Sequence, residues 1–175
     1  MDAKMKEILL KRKFSSIEYM QEMVEAHGRA VEGLKEALSQ FLDRYPDEDN
    51  RPPKSGTVDT WGLRVLPNFK GMQEAMASSL EEAKQGDTWG IRSCVGDLRG
   101  LSKDMDGVTW DWLDYIDKDI VEKFSRNLGK AEQHGENLYW TLDDDWRPGS
   151  ILKETITGPI DEQDLLKYLK PGESV

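Results

Sequence analysis

Two histidines, two sets of spaced carboxylates and one cysteine are the residues whose types could do chemistry. His27 and His134 both sit in Glu-x-His-Gly contexts, at Glu25-Ala26-His27-Gly28 and Glu132-Gln133-His134-Gly135. A di-iron bundle needs glutamate three residues before each histidine. Those positions hold Val24 and Ala131, so the pattern points instead to structural histidines that set helix register. Glu22 and Glu25 form an E-x-x-E pair, with which helical nucleotide pyrophosphatases hold magnesium. In place of a second such pair stands Asp111-x-x-Asp114-x-x-Asp117, with no evident basic phosphate clamp. Hard cations favour several carboxylates, so a metal-dependent enzyme acting on a phosphorylated compound is kept as an alternative.

Other acidic runs carry less. Asp143-Asp144-Asp145 reads as a solvated helix end. The Asp104-Met105-Asp106-Gly107 turn begins like a calcium loop, but Tyr115 stands where the twelfth-position acid belongs. Cys94 falls on an apolar helical face, where a buried thiol is inert. One cysteine makes neither an internal disulfide nor a cysteine zinc site. The chain has no G-x-S-x-G, phosphate loop or dinucleotide glycine fingerprint. No catalytic residue, metal ligand or cofactor is assigned.

A short repeat offers a different chemistry. Asp59-Thr60-Trp61-Gly62-Leu63-Arg64 recurs as Asp87-Thr88-Trp89-Gly90-Ile91-Arg92. Tryptophan and arginine are the residues most enriched at interface hot spots. The two units therefore suggest equivalent protein-binding surfaces, Trp61/Arg64 and Trp89/Arg92. The plainer alternative is an Asp-Thr cap followed by an indole wedged into the fold.

The elements that must position these residues are helical. Ile17, Met20, Val24, His27, Val31, Leu34, Leu38, Phe41 and Tyr45 step by 3 and 4, which predicts a long amphipathic helix over about 16–45. Ser15 and Glu18 form a capping-box pattern ahead of it. Ala26, Gly28, Ala30, Gly33 and Ala37 leave room for a close neighbour. Residues 46–60 read as a loop. Shorter helices are expected over about 68–85, capped by Asn68, and about 88–105, where Gly90, Gly96 and Gly100 suggest a second close approach. A long helix over about 109–142 carries Leu113, Ile116, Ile120, Phe124, Leu128, Ala131, Gly135, Leu138 and Leu142. The reading is all-α: a helical bundle with two long and two shorter helices, forming one domain over 1–146. A C-terminal tail, 147–175, is extended and ends in a short helix with Leu165, Leu166 and Leu169 on one side.

Charge and composition bound the function. The 175 residues hold 24 basic and 34 acidic groups, for a net charge of −10. A hydrophobic share of 37% and a charged share of 33% are respectively below and above usual values. The acidity argues against general nucleic-acid binding, and no apolar run is long enough for a membrane span. Residues 1–13 carry five basic and two acidic groups, while 106–146 carry eleven acidic and four basic. A basic arm could therefore dock on an acidic partner helix. We read the chain as a non-enzymatic structural or assembly protein with protein partners, forming a homo-oligomer or docking on a larger complex through helix seams, Trp/Arg surfaces and terminal arms. An acidic inhibitor that mimics nucleic acid is a further alternative. The expected compartment is cytoplasmic or otherwise intracellular, with no signal peptide.

Overall fold

Four long helices carry the apolar stripes, and each buries its stripe against two neighbours. The computed structural model describes residues 1–52, 55, 57–105, 108–141 and 160–175. Its helices are α1 (Ala3–Phe14), α2 (Ile17–Arg44), α3 (Leu63–Lys84), α4 (Trp89–Met105), α5 (Val108–Trp112), α6 (Lys118–Thr141) and α7 (Glu162–Leu165). Among the described residues there is no strand. The fold is an all-α bundle.

The contacts fix its topology. Tyr19, Arg29 and Gln40 of α2 meet Asn137, Asn127 and Asp117 respectively, so α2 and α6 run antiparallel. His27 meets Gln73 while Leu38 lies beside Gly62. Ser79 faces Cys94. Ser102 and Arg99 of α4 pair with Glu132 and Glu136 of α6. The ring α2–α3–α4–α6 is thus an up-down-up-down four-helix bundle.

Phe41, Phe69, Trp112 and Phe124 are sealed from solvent at its centre. Trp112 stacks on Phe124 at 6.1 Å, and Phe69 meets Phe124 edge-on at 6.0 Å. Burying such side chains contributes roughly 1.5–3 kcal/mol each. The small residues of α2 do what their size suggested. A Cβ on Gly33 would stand 3.2 Å from the Phe124 Cα, and Ala26, Ala30 and Ala37 are fully buried. The heptad seam of α2 is filled by the chain's own α3 and α6, with Val24, His27, Val31, Leu34, Leu38 and Phe41 all inside. It is therefore not a free surface for self-association.

Several boundaries differ from expectation. The expected helix over 109–142 is broken: α5 ends at Trp112 and α6 starts at Lys118. The break turns Trp112 and Ile116 inward. Asp117 is gripped by α2, where Arg44 and Gln40 hydrogen-bond its carboxylate at 2.6 and 2.9 Å. Helix α3 begins before the expected cap Asn68 and runs through Pro67, preceded by a wide π turn over Thr57–Gly62 in the expected loop. Proline withholds one N–H from the ladder, but buried Val65 and Phe69 hold that turn in place. The cap of α2 is Ser16 rather than Ser15; its side chain accepts from the Tyr19 N–H at 3.2 Å. Of the α4 glycines, Gly90 is a close approach, 2.8 Å from Ser79 Oγ for an added Cβ, whereas Gly96 and Gly100 face open space. Asp143–Asp145, Leu142 and the extended part of the tail lie outside the described residues.

Candidate interaction surfaces

The repeat starts two helices but does not make two equal surfaces. Asp87 accepts from the Trp89 N–H at 3.2 Å, a local cap at the head of α4. Asp59 instead pairs with Arg51 across the loop. Trp61 is half-buried against the core, with Arg64 exposed beside it. Trp89 is 75% exposed, and Arg92 stacks over the Tyr139 ring at 5.2 Å. So Trp61 is mainly a wedge and Trp89 mainly a surface residue. Trp110 of α5 is 73% exposed as well.

Trp110 overhangs a groove of about 800 Å³ between α4 and α6 that also includes Lys103, Leu113, Leu128 and Gly129. On α4, Trp89, Ser93, Gly96, Gly100 and Lys103 step by 4, 3, 4 and 3, and all five face solvent. This strip spans about 20 Å at 1.5 Å per residue, with one indole at its far end and the other beside Lys103.

The tail forms the second surface. Leu165 is completely buried among Leu9, Leu10, Phe14 and Tyr19, with half-buried Leu169 and Tyr168 alongside. Leu166 points outward. Charges ring this small cluster. Lys6 meets Glu162 at 2.9 Å, Lys13 meets Asp164 at 2.6 Å, and Arg12 forks onto both Glu173 oxygens at 2.6 and 2.8 Å. Arg12 also donates to the Tyr168 carbonyl at 2.9 Å. Three cations of the basic arm, Lys6, Arg12 and Lys13, therefore pair with acids of 160–175. Lys13 and Lys167 hold the Asp164 carboxyl down at about 2, and Arg12 with the Lys170 backbone holds Glu173 at about 2. The sequence pointed to the arm as a docking element but set it against the acidic stretch 106–146 rather than against the tail.

The histidines take separate partners. His27 is fully buried, stacked on Phe69 at 5.6 Å, with Nδ1 2.6 Å from Gln73 Oε1. Burial lowers its pKa. His134 stacks on Tyr19 at 4.3 Å and contacts Glu22 through Nε2 and the Lys130 carbonyl through Nδ1, both at 3.0 Å. The two carboxylate sets of the enzyme reading are not brought together. Glu22 and Glu25 lie near the start of α2, whereas Asp117 is held by Arg44 at its end, about 30 Å along the axis. Among the described residues, no group of three or more acidic, histidine or cysteine side chains could hold a metal. Cys94 is buried beside Ser79, and burial raises its pKa. No described helix is long and apolar enough to cross a membrane. No family model, curated protein or solved structure matches this chain.

Proposed function

We propose that the chain is a non-enzymatic helical assembly protein that docks on protein partners through the outer face of α4 and α5. One observation carries this reading: Trp89 and Trp110 are 75% and 73% exposed, while the other tryptophans, phenylalanines and tyrosines among the described residues are buried wholly or in part. Large, rigid indoles supply binding energy when a partner covers them. Between them, Gly96 and Gly100 leave the α4 backbone open, which lets another helix approach closely. The charge of −10 keeps such a protein dispersed until it meets its partner. The test is solution mass by size exclusion with light scattering, at low and high salt, on wild type and a Trp89→Ala/Trp110→Ala variant. A defined multimer that the double variant loses supports the reading. A 20 kDa monomer for both proteins, with no change in Trp110 or Trp89 fluorescence on titration with candidate partners, counts against it.

A further inference from the structure

The tail latch has the composition of an exchangeable interface. Segment 160–175 rests on α1 and the start of α2, and its apolar contacts form a cluster separate from the bundle core. Its inter-element ion pairs, Glu162 to Lys6, Asp164 to Lys13 and Glu173 to Arg12, all end on α1. The cluster that this segment completes is thus distinct from the one that fills the bundle. Residues 142–159 join it to Thr141, a chain length that reaches at most about 68 Å.

We propose that segment 160–175 also docks in trans, on α1 of a second copy of this chain, giving a reciprocal dimer. This rests on the assembly reading above and names one route to self-association. The occupant is identified by complementarity: three cations and Leu9, Leu10 and Phe14 on one side, three carboxylates and Leu165 on the other. A second copy supplies this ligand with every residue in register. Exchange replaces each contact by an identical one, so a symmetric pair with two latches closes with no new surface required. Cis docking wins at low concentration because its partner is tethered, and trans docking gains as concentration rises.

The experiment is light scattering of the full chain over a wide concentration range, with two charge-reversed proteins. One carries Lys6→Glu, Arg12→Glu and Lys13→Glu; the other carries Glu162→Lys, Asp164→Lys and Glu173→Lys. Each alone repels its own tail. Mixed in equal amounts, each tail finds a complementary α1 only on the other protein. The expected results are a wild-type dimer that grows with concentration, a monomeric Leu165→Asp variant, and a mixture that doubles in mass while its separate components do not. A wild type that remains at 20 kDa at every concentration overturns the proposal, as does a mixture that stays monomeric. A dimer that survives Leu165→Asp but is lost in Trp89→Ala/Trp110→Ala overturns the exchange while leaving the assembly reading in place.

Discussion

The bundle core and the terminal latch solve the same problem with different materials. In the core, Phe41, Phe69, Trp112 and Phe124 fill the space between four helices, and buried polar contacts are few, such as His27 with Gln73. In the latch, Leu165 and the buried Leu9, Leu10, Phe14 and Tyr19 are ringed by ion pairs. Full burial of a leucine contributes roughly 1.5–3 kcal/mol, whereas an exposed pair gives about 0–1 kcal/mol. Apolar area therefore dominates both regions, but charge is a much larger share of the latch. The latch should respond to salt where the core does not, and to acid in a different pH range.

The largest effect tests the core. Phe124→Ala removes a ring that packs on both Trp112 and Phe69 and is expected to cost about 3–5 kcal/mol in urea unfolding. Leu165→Ala is expected to lose about 2–4 kcal/mol, but only locally: amides of 160–175 exchange faster while α2 and α6 stay protected. If global unfolding shifts as much as for Phe124→Ala, the two regions are one cooperative unit.

Acid separates them by window. Asp164 and Glu173 sit at about 2 when docked and near 4 when free. Their ionised forms stabilise docking, so this contribution is complete above about pH 4 and is lost as pH falls towards 2. His27 acts on the bundle in a higher range. Burial lowers its pKa, so the unfolded chain takes the proton first, and stability declines as pH drops below about 6.5. Urea midpoints for His27→Gln should be flatter over that range, with tail exchange unaltered.

The smallest effects concern the outer face of α4. Gly100→Ala meets no neighbour and should stabilise the bundle by about 0.5–1 kcal/mol. Trp89→Ala should change stability by less than about 0.5 kcal/mol. A loss above 1 kcal/mol would mean that this indole packs as Trp61 does.

What was readable in the sequence follows from the range of the forces involved. The α2 seam is buried as spaced from Met20 to Phe41, because helical period is a local property. The small α2 residues also announced a close neighbour. The break before α6 was not readable, since Leu113, Ile116 and Ile120 continue a helical stripe across it. What bends the chain is the distant grip of Arg44 and Gln40 on Asp117. The repeat misled for the same reason. Identical Asp-Thr-Trp-Gly strings land on a π turn in one place and a capped helix start in the other. For the latch, composition marked the basic arm but set it against the acids of 106–146; only the fold pairs Arg12 with Glu173 and buries Leu165. The exposure of Trp89 and Trp110 likewise depends on what the other helices cover.

The most direct test of this division is hydrogen exchange followed by mass spectrometry at about 0.05 and 1 M sodium chloride, at neutral pH. The account predicts that high salt speeds exchange in α1 and 160–175 while α2, α3 and α6 keep their protection. Equal changes in both regions, or none in the latch, would contradict it.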